Sequence, residues 1–133
     1  MLFVYWFEDH PQYSSRVGEI REKMTLRNDT LCTSVLTLGE ILTGAYKQGG
    51  HAVATQVKEL FHSSTIELLP FTSGTADEYA RIRAQNRVTP ADAIHLASAS
   101  VARVNLFLTN DRGLQRLVVP GVDFIAGLDV NLF

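Results

Sequence analysis

The stretch Thr89-Pro90-Ala91-Asp92-Ala93-Ile94-His95-Leu96-Ala97-Ser98-Ala99 decides how the chain is read. Thr followed by Pro is a strong helix start: the Thr hydroxyl caps an orphan N–H, and Pro at the first helical position gives up none that the helix needs. Ala93, Ile94, Ala97 and Val101 then recur at helical spacing, which predicts a helix with a well-buried face. Beyond it, Asn105–Thr109 reads as a strand, Gly113–Val118 as a short helix and Val122–Ile125 as a last strand. Upstream, Ser73–Arg87 has a helical pattern, and Ile66–Leu69 is a strand stopped by Pro70.

Further upstream, Leu31–Leu36 reads as a strand running into Thr37-Leu38-Gly39-Glu40 and a helix that reaches about Tyr46. Gly49-Gly50 is a turn, and Val53, Val57, Leu60 and Phe61 keep helical spacing after it. Strands separated by helices argue for parallel βαβ units, and so for an α/β fold in which helices flank a central parallel sheet. Leu2–Phe7 is apolar and aromatic, and periodicity does not separate strand from helix over so short a run.

The composition suits that architecture. The chain has 133 residues, 46% hydrophobic and 20% charged, with 12 Lys and Arg against 14 Asp and Glu. These values fit one domain over residues 1–133 and exclude a disordered chain. Leu2–Phe7, the longest apolar stretch, is too short to span a bilayer, so no membrane association is expected. The single cysteine, Cys32, has no internal partner, which makes a reducing, cytoplasmic setting the default. A net charge of −2 neither advertises nor excludes nucleic-acid binding.

Three acids stand at equivalent places in this plan. Glu40 follows a strand and opens a helix, Asp92 lies in the first turn after Thr89-Pro90, and Asp111 follows the strand ending at Thr109. In an open α/β sheet, ligands bind beyond the carboxyl ends of the strands, where such residues are delivered. Carboxylates gathered there repel one another unless a cation is present, and a hard ion such as Mg²⁺ or Mn²⁺ suits oxygen ligands. Such an ion activates water and polarises a phosphoryl oxygen, which points to phosphodiester hydrolysis. Each acid also has a structural reading. Thr37-x-x-Glu40 has the form of a capping box, Asp92 suits a helix start, and Asp111 suits a turn or the cap of the next helix.

The chain resembles the PIN-domain proteins and is most similar to the bacterial VapC-type toxin ribonucleases. Three stretches carry this: Thr33–Leu42, Thr89–Ala99 and Phe107–Arg112, in the order and at the separations of that family. The resemblance implies a three-layer parallel-sheet fold with an acidic Mg²⁺ or Mn²⁺ site. It also implies cleavage of RNA, a cognate antitoxin that blocks the site, and a homodimer. Glu40, Asp92 and Asp111 fall on the family's metal-site acids, and Thr109 and Asn110 on the polar positions beside the last of them.

The family site also begins with an Asp at the end of its first strand. Here Leu2–Pro11 resembles the segment just after that motif, so the family's aspartate would lie shortly before Met1. This leaves two expectations. Either upstream residues supply the acid and a central strand, or Leu2–Trp6 forms the first strand and Glu8 or Asp9 takes the acid's place. Without that strand, exposed sheet edges would favour pairing between copies. If the acid is missing, the alternative to an enzyme is a catalytically silent module that binds an antitoxin or RNA.

Between Arg81 and Arg116 stand six arginines (Arg81, Arg83, Arg87, Arg103, Arg112 and Arg116) against two acids. Such a local excess suits an RNA backbone, with Arg112 beside Asp111 the leading substrate-binding candidate, although solvated arginines are common. His95 follows Asp92 by three positions and is expected to support the site or pack rather than react. The histidines and Cys32 show no zinc-ligand spacing, and there is no glycine-rich phosphate loop.

Overall fold

The computed structural model describes residues 14–128. In chain order the elements are α1 (Ser14–Arg27), β1 (Cys32–Ser34), α2 (Val35–Ser63), β2 (Glu67–Leu69), α3 (Ser73–Gln85), α4 (Pro90–Ala102), β3 (Leu106–Leu108), α5 (Arg112–Gln115) and β4 (Phe124–Ala126). The expected first strand at Leu2–Trp6 lies outside the described residues, as do Glu8, Asp9 and Pro11.

Both ladders are parallel, as helical crossovers require. β1 pairs with β2, Cys32 opposite Glu67 and Ser34 opposite Leu69. β3 pairs with β4, Leu106 opposite Phe124 and Leu108 opposite Ala126. Among the described residues no ladder joins β1 to β3.

Side chains alternate across a strand, and β3 shows the layers this creates. Phe107 packs on one core, built from Ile82 of α3, Ala93, Leu96 and Ala97 of α4, and Leu114 and Val119. Its neighbour Leu108 packs on the other core, where Ile20 and Met24 of α1 meet Leu128 and Leu31. Helices therefore cover both faces of the strands, giving the three-layer α/β arrangement expected from the sequence. Ala93, Leu96 and Ala97 are 0% exposed, and the two alanines leave α4 slim enough for α3 to pack closely along it.

The helix ends follow local chemistry. Thr89 caps α4, its hydroxyl accepting from the Asp92 N–H at 3.2 Å, with Pro90 in the first turn as expected. Arg103 ends α4 in the left-handed conformation, φ 55°. Thr72 and Thr75 form a reciprocal capping box at the start of α3. Gly50 breaks α2 with φ 63° and ψ −147°, where the sequence suggested a turn. The helix kinks there, and Lys58 Nζ lies 3.3 Å from the Tyr46 hydroxyl across the break.

Two expectations are corrected near Glu40. The helix begins at Val35, not Thr37, so Glu40 lies in the second turn rather than the first. Thr37 and Glu40 do not form a capping box: Thr37 is 2% exposed, and its hydroxyl accepts from that of Thr33 at 2.8 Å. The short helix predicted to reach Val118 stops at Gln115, leaving Val118 93% exposed. Among the described residues no helix is long and apolar enough to cross a membrane.

Candidate acidic site

β1 ends at Ser34, the N-cap residue of α2, yet its hydroxyl does not cap the helix. It points instead to α4, where Ser34 Oγ stands 2.7 Å from His95 Nδ1. The other ring nitrogen, Nε2, lies 3.2 Å from Glu40 Oε1. A carboxylate only accepts hydrogen bonds, so Nε2 carries a proton and donates it to Glu40. In the neutral ring Nδ1 is then an acceptor, and the Ser34 hydroxyl donates to it. The chain of bonds runs from Ser34, 4% exposed, out to the exposed carboxylate of Glu40.

Asp92 lies in the first turn of α4, one turn before His95 on the same helix. Its carboxylate takes no hydrogen bond among the described residues and stays half-buried. Asp111 follows β3 and fulfils its structural reading: Oδ1 caps α5, accepting from Gly113 N at 2.8 Å and Leu114 N at 3.2 Å. Thr109 shapes that turn, its hydroxyl accepting from the Asp111 N–H at 3.1 Å. Asn110 has an orphaned donor, Nδ2, buried and unpartnered among the described residues.

Each of the three acids follows a strand or opens a helix in chain order. His95 touches the last residue of β1, so the first half of α4 lies at the carboxyl end of that strand. α4 extends about 20 Å over its 13 residues, and Asp111 follows the next strand, β3. Direct contact is established only for Glu40 with His95. Among the described residues no three His, Cys, Asp or Glu side chains stand together as a metal cluster. The donor chemistry still fits Mg²⁺ or Mn²⁺: all three candidates are carboxylates, hard oxygen donors, with no thiol among them. Mg²⁺ is ordinarily held by one or two carboxylates and retains several waters, so it does not demand an all-protein cage.

Of the basic residues, Arg81 is paired with Asp77 at 3.1 Å and Arg83 donates to the Tyr79 hydroxyl at 3.3 Å, which commits both to α3. Arg112, the first residue of α5, is exposed next to Asp111. Sequence reasoning missed Ser34. A serine ending an apolar strand was its only signal, and the partner, 61 positions away, appears only in the fold.

The PIN domain family model matches residues 2–119. A comparison with curated proteins gave no match. Among solved structures, the chain is similar to one in the DNA-bound VapBC of Salmonella typhimurium, at 30% identity and TM-score 0.64, covering 82% of this chain and 83% of that one. A chain of VapBC2 from Rickettsia felis, bound to a DNA fragment from the promoter, matches at TM-score 0.74 and 18% identity, covering 95% and 92%. A toxin–antitoxin complex from Klebsiella pneumoniae matches at TM-score 0.63 and 19% identity, covering 91% and 89%. The two matches of lower identity speak for the fold alone.

Proposed function

This chain belongs to the PIN-domain family, and on that premise we propose that it is a metal-dependent endoribonuclease, the toxin of a toxin–antitoxin pair. The observation that carries this reading is the carboxylate of Glu40, held by His95 at the carboxyl end of β1, with Asp92 one turn away along α4. Asp111, after β3, completes the acidic set. Mg²⁺ or Mn²⁺, when bound, supplies an activated water and charge neutralisation at the phosphoryl group.

The chain's own groups bind and orient. Glu40 and Asp92 offer carboxylate oxygens, and Asp111 offers Oδ2, since Oδ1 is engaged in the cap. Arg112 is placed to hold a backbone phosphate of the RNA, with a contact that weakens as salt rises. Thr109 fixes the turn that presents Asp111, and Asn110, between them, shapes the same loop. A cognate antitoxin, a homodimer and a cytoplasmic location complete the proposal. That the Salmonella typhimurium relative comes from a DNA-bound VapBC supports the antitoxin.

The second reading is a silent module that keeps the antitoxin- or RNA-binding surface. It is favoured by the cap at Asp111 and by the lack of a three-ligand cluster among the described residues. Cleavage of single-stranded RNA separates the two. The nuclease reading expects Mg²⁺-dependent cleavage that is lost in Asp92→Asn; binding of RNA without cleavage at any Mg²⁺ or Mn²⁺ concentration supports the silent module. Loss of cleavage in Glu8→Gln or Asp9→Asn would assign the fourth acid to that segment.

A further inference from the structure

We propose that Ser34 and His95 are positioning residues: Ser34 fixes the tautomer of His95, and His95 aims Glu40 so that one carboxylate oxygen is held while the other is free for a metal ion. The inference rests on the nuclease reading of the acidic site and adds the device that orders the exposed carboxylate of Glu40.

The geometry is directional. Ser34 is 4% exposed and spends its hydroxyl on His95 at 2.7 Å although it occupies an N-cap position, where a serine side chain ordinarily satisfies a helix N–H. The helix end forgoes that bond, so the hydroxyl serves the imidazole. With Nδ1 accepting from Ser34, the proton sits on Nε2, 3.2 Å from Glu40 Oε1. The His95 side chain is 18% exposed and that of Glu40 40%, so a fixed ring holds a carboxylate that would otherwise sample many rotamers. A histidine anchored through one nitrogen and donating through the other can act as the outer partner that orients a metal-binding carboxylate, and loss of such a partner typically weakens metal affinity by about 10- to 100-fold.

Two substitutions separate the halves of the relay. His95→Gln places an amide N–H where Nε2 stands and keeps a donor for Glu40. His95→Asn places its amide where Nδ1 stands, keeps a bond to Ser34 and abandons Glu40. The experiment measures Mn²⁺ affinity by calorimetry for the full chain and these variants, with ring ¹⁵N shifts of His95 by NMR and a thermal melt on each. Expected are an Nε2–H tautomer in the wild type that becomes mixed in Ser34→Ala, and Mn²⁺ binding weakened about tenfold or more in His95→Asn. His95→Gln should retain most of the affinity, and both histidine variants should melt cooperatively. A merely structural histidine would instead lower stability in both variants without separating their affinities.

An Nδ1–H tautomer in a wild type that binds Mn²⁺, or equal Mn²⁺ affinity in His95→Asn and the wild type, overturns the positioning role and leaves the nuclease reading standing. A wild type that binds no Mn²⁺ overturns both.

Discussion

Ser34 Oγ and His95 Nδ1 are 2.7 Å apart and join β1 to the middle of α4, two elements whose bonded residues are separated by 61 positions in sequence. Because Ser34 is buried, the bond sits where water cannot readily replace it. Ser34→Ala leaves a half-buried imidazole nitrogen without its donor and is expected to cost about 1–3 kcal/mol, read from the midpoint of urea unfolding. An unchanged midpoint would mean that the bond contributes nothing net.

The core under the sheet depends on α4. Leu96 is 0% exposed, and truncation to Ala leaves a cavity that the neighbouring alanines cannot fill, at an expected cost of about 3–5 kcal/mol. Thr89→Ala, which removes only the cap of the same helix, should cost about 1 kcal/mol, and Thr89→Asp should restore most of it. Equilibrium denaturation of the three variants orders them.

Gly121 has φ 86°, and a Cβ there would stand 2.5 Å from the Ser100 carbonyl oxygen. The backbone oxygen cannot give way as a flexible side chain would. Gly121→Ala should therefore destabilise by more than the ordinary backbone cost of about 1 kcal/mol, seen as a lower melting temperature. An unaltered melting temperature would show that the 119–122 turn relaxes freely.

Cys32 carries a pH dependence. Burial pushes its thiol up from the ordinary range, and the nearby Glu67 carboxylate, its partner in the ladder, adds to the shift. The folded state disfavours the thiolate more than the unfolded state does. This contribution to stability is complete below the ordinary thiol pKa of about 8.5 and is lost as pH rises through the higher folded value. Urea unfolding followed across the alkaline range should show a steeper loss in the wild type than in Cys32→Ala. Parallel curves would contradict the shift.

Much of the fold was legible because local chemistry agrees with tertiary packing. Thr89-Pro90 carries its own helix-start signal, Pro70 stops a strand, and the apolar spacing of α4 matches the face it buries. The boundary at Val35 was misplaced because Thr37 and Glu40 have a cap's spacing, whereas the Thr37 hydroxyl is taken by Thr33. Individual acids were legible and their partners were not. Asp111 carries the same sequence signal whether it caps α5 or holds an ion, and the cap is what the fold makes of Oδ1. The relay from Ser34 to Glu40 joins three segments through contacts that no periodicity encodes.

The central claim is that Glu40, Asp92 and Asp111 serve one ion at one edge of the sheet. Paramagnetic broadening by substoichiometric Mn²⁺, followed at the backbone amides, tests it directly. The signals of all three residues should broaden together, at one Mn²⁺ concentration, and Asp92→Asn should weaken the effect at Glu40 and Asp111 as well. Broadening confined to one of the three, with the other two untouched at the same concentration, would contradict it.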